Sequence, residues 1–346
     1  MASIKDLLSF IKDTANSPGP PSRSATNQST PALENLHFTV EFILDTICPH
    51  CYIGLRNLNT AIRLYKEQQP NATFEVTCSP IVLNPGAGRS DIPPPASLEH
   101  PRHSVGIKGT YYERTRGFAS STIEAWTRQG AGVGIQFDWQ GGLTGNSRDS
   151  HKLLRLALEA NPSTYRSSSF TQASGYNRSA TTSSSAQQST ITPGARGPDT
   201  QMKLAETIYR EYFENNHDIS DRSWLLNIGT SLTNLPAAEI RACLESEDWD
   251  HSIDRLSDRS KQEFNAVPVF IIQGRYVAGG WQTPEKFLEV FERIRLAGPN
   301  APGGMLSVPG GGWWMPGGVF RGASQAASQC ASQGAGLSPS SADAGN

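Results

Sequence analysis

The chain has no excess of either charge. Thirty basic residues stand against thirty-two acidic ones, a formal net charge of −2. Nothing in that balance favours nucleic acid or an anionic membrane surface as a partner. No apolar stretch approaches the length needed to span a bilayer. The amino terminus, Met1-Ala2-Ser3-Ile4-Lys5-Asp6-Leu7-Leu8, mixes charges into its short apolar run and lacks the uninterrupted core of a secretory signal. Cysteine is scarce and odd in number, five in all, with three of them isolated. That count speaks against a disulfide-stapled secreted protein and makes a reducing, cytoplasmic setting the expectation. No second cysteine pair and no H-x3-5-H spacing accompanies the single C-x-x-C, so no metal site is expected.

What is present centres on Asp45-Thr46-Ile47-Cys48-Pro49-His50-Cys51-Tyr52-Ile53-Gly54. Upstream, Phe38, Val40, Phe42 and Leu44 alternate as in a half-buried strand. Downstream, Leu55, Leu58, Ile62 and Tyr65 recur at helical spacing, which starts a helix at or just after Cys48. The C-x-x-C pair therefore lies where a strand hands over to a helix. The free N–H groups and positive dipole end of a helix start favour a thiolate on Cys48. Pro49 suits the first turn, where its missing N–H costs nothing. His50 is expected to add to the effect, since a charged imidazole beside a thiolate favours the ionised form. The expected catalytic set is thus Cys48, Pro49, His50 and Cys51, with Cys48 attacking and Cys51 resolving in thiol–disulfide exchange.

Elsewhere the pattern divides the chain. Residues 1–36 read as a flexible segment, with Ile4, Leu7, Leu8 and Ile11 at helical spacing followed by a Pro- and Ser-rich linker. Residues 37–97 carry the first strand, the helix and a second strand over Thr73–Cys78 that continues into Ile81-Val82-Leu83. Residues 98–265 turn helical. Gly130, Gly132 and Gly134 precede Ile135 and do not open a helix after a strand, so they read as a plain turn rather than a nucleotide loop. Within this block residues 162–198 are serine-rich and aperiodic, which reads as disorder. Cys78 and Cys243 fall on apolar stripes and read as core. Residues 266–296 return to a hairpin, Val267–Ile272 and Tyr276–Ala278, and a last helix capped by Thr283 and opened by Pro284. Residues 297–346, rich in Gly, Ser, Ala and Gln, read as a disordered tail with Trp313-Trp314 as its aromatic pair and Cys330 without a role.

These motifs together resemble the DsbA-like thioredoxin family. The residues that carry the likeness are Asp45 with Cys48–Gly54, Leu83-Asn84-Pro85, Gly142–Asn146 with His151, Tyr212-Phe213 with Asp218-Ile219 and Asp221, and Val267–Phe270. The FrnE-type branch is the most similar, although His50 stands where that branch more often has Trp. The resemblance implies an α/β thioredoxin-like fold with a large all-helical insertion, which forms a lid beside the redox face. It implies a cis Pro268 facing the redox pair, with Val267 beside it pairing with substrate. Asn146 and His151 are implied as further substrate-binding residues. The implied activity is thiol–disulfide oxidoreduction on a protein or small disulfide. The alternative is a glutathione-dependent isomerase or transferase acting on a small, polyketide-like metabolite. Relatives of the alternative kind generally carry serine where this chain has Cys48, so keeping both cysteines favours exchange. No tightly bound cofactor is expected. Glutathione as a co-substrate and a homodimer remain open on this resemblance.

Overall fold

A computed structural model describes residues 36–88, 106–115, 117–159, 196–297, 304–306 and 313–314. Nearly all of the flexible amino-terminal segment and of the serine-rich stretch, Cys330 and most of the tail lie outside them.

Alternation in the first strand becomes β1, His37–Leu44, with Phe38, Val40 and Phe42 turned inward. The helix α1 follows over Pro49–Gln68, and β2 over Thr73–Pro80 returns parallel to β1, pairing Phe42 with Cys78. Two parallel strands joined by a helix form the right-handed crossover unit that begins many α/β folds.

The helical block opens with a two-stranded ribbon of β3, Gly106–Ile107, and β4, Leu143–Thr144. A π turn over Tyr111–Thr115 and the helix α2, Ser120–Gly132, lie between them. Then come α3, Arg148–Leu158, and α4, Pro198–Phe213, followed by α5, Arg222–Thr233, α6, Ala237–Glu245, and α7, Glu247–Glu263. Asp221 caps α5 by accepting from the Ser223 and Trp224 backbone N–H groups, and Ser246 caps α7 through Trp249. The glycine-rich run departs from expectation. Gly130 and Gly132 belong to α2, and the chain turns only at Val133–Gly134, where Gly134 has φ of +78°. Gly130 is required inside the helix because a Cβ there would meet the Phe137 ring at 2.5 Å.

Beyond α7 run β5, Ala266–Val267, β6, Val269–Ile272, and β7, Tyr276–Gly279. The turn between β6 and β7 uses two left-handed residues, Gln273 and Gly274, as tight hairpins require. The helix α8, Pro284–Ala297, packs against α1. The main sheet has the order β2-β1-β6-β7-β8, with β6 antiparallel to β1. Phe42 and Phe270 face each other in that register and stack at 4.6 Å, the centre of the core. Thus β1-α1-β2 and β6-β7-α8 form one α/β unit, and the helical block is inserted between its halves. Its α4 and α7 pack against β2.

The tail does not match its reading as wholly disordered. Gly304–Leu306 forms β8, parallel to β7, and Trp313–Trp314 forms β9, antiparallel to β5. Backbone pairing with an open sheet edge explains why an aperiodic, glycine-rich segment carries strands, since such pairing needs no apolar period. Among the described residues no helix is long and apolar enough to cross a membrane.

Candidate redox site

Cys48 is the N-cap of α1, with extended backbone, and Pro49 is the first helical residue. The backbone N–H of Cys48 donates to the Asp45 carbonyl at 3.0 Å, while the Cys48 carbonyl accepts from Cys51 and Tyr52. One helical turn then brings the Cys51 thiol next to that of Cys48. The Cys48 thiol also points to the Val267 carbonyl, 3.9 Å away, and the Val267–Pro268 peptide is cis. The hairpin thus meets the redox helix although more than two hundred residues separate them in sequence. Gly54 permits the approach, because a Cβ there would lie 3.0 Å from the Phe270 ring and 3.4 Å from Pro268.

The cysteines differ in reactivity for physical reasons. Burial, and then the neighbouring Cys48, hold the Cys51 thiol well above the ordinary cysteine range. Burial is the main cause that pushes both Cys78 and Cys243 up to about 12. Among the described cysteines, Cys48 is the one at a helix start. Yet Cys48 itself has 0% of its surface exposed.

His50 has a different role from the expected one. Its ring is 8% exposed, and Nε2 accepts a 3.0 Å hydrogen bond from the Trp126 indole N–H. An accepting Nε2 is unprotonated, so the ring is neutral with its proton on Nδ1. Burial lowers the His50 pKa to about 4, with Gln129 opposing more weakly. A neutral imidazole brings no positive charge to Cys48 near pH 7, which corrects the expectation that His50 favours the thiolate electrostatically.

Asn146 and His151 are likewise engaged inside the protein. The Asn146 amide donates to the Pro85 and Ala87 carbonyls, and its oxygen accepts from the Arg148 N–H. It fastens the turn after β2 to the start of α3. His151 is 3% exposed, with Nε2 3.3 Å from Asp45 Oδ1. The other Asp45 oxygen accepts from the Leu83 N–H at 2.7 Å. Both side chains direct their hydrogen bonds inside the protein, Asn146 to the turn after β2 and His151 to Asp45 ahead of the redox pair.

The residues that pattern reading missed are the tyrosines of the helical block. Tyr209 donates to the Asp45 carbonyl at 3.0 Å, and Tyr112 donates to the Ile47 carbonyl. Tyr112 also meets the Tyr212 hydroxyl, which in turn meets the Thr144 hydroxyl at 2.7 Å. The inserted block therefore grips the backbone of the Asp45–Cys48 turn from outside. Their aromatic character was visible in the sequence, but their partners are backbone carbonyls in a distant segment, for which sequence carries no signal. Among the described residues no group of three His, Cys, Asp or Glu is placed to hold a metal ion.

A cysteine pair at a helix start, faced by a cis-proline hairpin and roofed by an inserted helical block, defines a DsbA-like thioredoxin fold. Residues 39–195 match the family model of the DSBA-like thioredoxin domain. Among solved structures, the probable DsbA oxidoreductase of Streptomyces coelicolor is similar with a TM-score of 0.53 at 19% identity, over 79% of this chain and 100% of that one. At that identity the likeness is one of fold. A 2-hydroxychromene-2-carboxylate isomerase (TM-score 0.43, 10% identity, 75% of this chain and 96% of that one) is more distant. So is the cytosolic disulfide reductase DsbM of Pseudomonas aeruginosa, solved with GSH (TM-score 0.37, 15% identity, 74% and 99%). No curated protein matches the chain.

Proposed function

We propose that this chain is a thiol–disulfide oxidoreductase of the DsbA-like, FrnE type, with Cys48 as nucleophile and Cys51 as resolving thiol. The observation that carries the reading is the placement of Cys48 at the start of α1 with its sulfur 3.9 Å from the Val267 carbonyl. Val267 thereby marks where substrate backbone docks beside the reacting sulfur.

In the reducing direction the Cys48 thiolate attacks one sulfur of the substrate disulfide. A mixed disulfide forms and the first substrate thiolate leaves. That thiolate takes the proton of Cys51, whose own thiolate then attacks the Cys48 sulfur. The Cys48–Cys51 disulfide forms and the second substrate thiolate is released. The substrate gains two electrons and the pair loses two; oxidation of a dithiol substrate runs the same steps backward. The high pKa of buried Cys51 suits this order, because Cys51 stays protonated until a leaving thiolate is present beside it.

The test uses two substitutions. Cys51→Ala should stop turnover and accumulate Cys48 adducts that a reductant releases, since the intramolecular resolving step is lost. Cys48→Ser should be inactive on a protein disulfide. A Cys48→Ser protein that still processes an enone in the presence of glutathione would replace this reading with the isomerase one.

A further inference from the structure

The short strand β5 ends at Val267, and Pro268 follows it without an N–H, so the ladder of β6 does not continue through it. Ala266 and Val267 therefore form an edge of their own, next to the nucleophile. In the structure that edge is occupied. Trp313 and Trp314 of the tail run antiparallel to it, with Ala266 opposite Trp314 and Val267 opposite Trp313. Before that, Gly304–Leu306 lies along β7, so the tail is fastened to the far edge of the main sheet and then reaches the redox face. The Val267 residue that pairs with Trp313 is the one whose carbonyl receives the Cys48 thiol. Independently, Cys48 has no exposed surface and Ala266 only 4%. A nucleophile without surface meets no substrate until something moves.

We propose that Trp313–Trp314 is a built-in occupant of the docking edge, which an extended polypeptide segment must displace before its disulfide reaches Cys48. The proposal rests on the oxidoreductase reading above and narrows its substrate class to extended polypeptide. The chemistry is backbone pairing. An antiparallel strand exchanges a pair of N–H···O=C bonds with one residue of this two-residue edge, and an incoming peptide offers the same groups in the same geometry. A compact small disulfide offers no such strand. Because the occupant is tethered, it competes at an effective concentration in the millimolar range, so only segments that pair well with the edge open the site.

The experiment compares the full chain with a full-length Trp313→Pro/Trp314→Pro variant, which removes two strand N–H groups. A Trp313→Gly/Trp314→Gly variant serves if the first does not fold. The first measurement is hydrogen exchange at residues 266 and 267, whose amides both proteins keep, in a Cys48→Ser/Cys51→Ser background, a readout independent of redox activity. Protection in the parent that is lost in the variant is expected. Unprotected amides in the parent would overturn the proposal. The second measurement is iodoacetamide modification of Cys48 in the otherwise wild-type chain, together with turnover of an unfolded protein disulfide. Both should rise about tenfold in the variant, as for a site closed nine-tenths of the time. A synthetic peptide spanning residues 308–319 should reverse both effects. Unchanged modification and turnover, or no reversal, would overturn the proposal. A tenfold rise in modification with no disulfide turnover in either protein would uphold the occupied edge and reject the oxidoreductase reading instead.

Discussion

Replacing His50 with leucine should change how stability depends on pH, and the size of the change follows from the ring's surroundings. Burial takes the His50 pKa from 6.5 in the unfolded chain to about 4 in the folded one. A base with a depressed folded pKa takes up its proton more readily when unfolded. Its contribution to stability is therefore complete above pH 6.5 and is lost as the pH falls toward 4. Linkage gives a loss of about 2 kcal/mol by pH 5 and about 3 kcal/mol by pH 4. Leucine does not titrate, so His50→Leu should lack this slope. At pH 7.5 the variant should be less stable by about 1–3 kcal/mol, because the buried Trp126 indole N–H loses its acceptor at 3.0 Å. The two stability curves should then converge near pH 5. Urea unfolding at pH 7.5, 6.5, 5.5 and 5.0 measures both curves, with Trp126→Phe completing a double-mutant cycle that isolates the pair. Parallel curves, or an NMR titration of His50 with its midpoint near 6.5, would show that the ring is not held neutral and would restore the electrostatic role expected from the motif.

Other outcomes follow from the same physical reasoning. Tyr112→Phe should destabilise by about 1–2 kcal/mol in thermal unfolding, because the Ile47 carbonyl loses a buried donor. A change below a few tenths would mean that the inserted block does not grip the redox turn. Lys152 is 0% exposed, 3.3 Å from Asp149 and 2.9 Å from Asp250. Lys152→Met should cost about 3–5 kcal/mol by leaving buried carboxylates under-compensated, and a variant as stable as the parent would refute that. Cys78 and Cys243, with pKa values of about 12, should resist iodoacetamide in the folded protein at pH 8, where only about one thiol in ten thousand is ionised. Mass mapping of modified peptides decides, and rapid labelling at either site would show local opening.

Much of the framework was legible in local pattern. The alternation of Phe38, Val40 and Phe42, the spacing of Leu55 and Leu58, and the punctuation by Asn84-Pro85 or Gln273-Gly274 report chain geometry directly. Each of these signals lies within a few residues of the structure it describes. The Gly130–Gly134 run misled because glycine signals a turn, while at Gly130 it answers to the Phe137 ring seven residues later. The tail misled for the reverse reason. Strands built on backbone pairing with an existing edge need no periodicity of their own.

By itself, then, the amino-acid order determined the strand–helix start, the cysteine pair at its junction and the returning hairpin with Pro268, because helix starts, turns and apolar periods are local properties of the chain. Only the tertiary structure decided that His50 is neutral, since its charge depends on burial and on an indole 76 residues away in sequence. It likewise turned Asn146 and His151 inward, set Tyr112 and Tyr209 on the backbone of the redox turn, and brought Trp313–Trp314 to the edge beside Cys48. Solvation and hydrogen-bond partners are fixed by what packs around a group, and in this fold an inserted block and a returning tail do that packing.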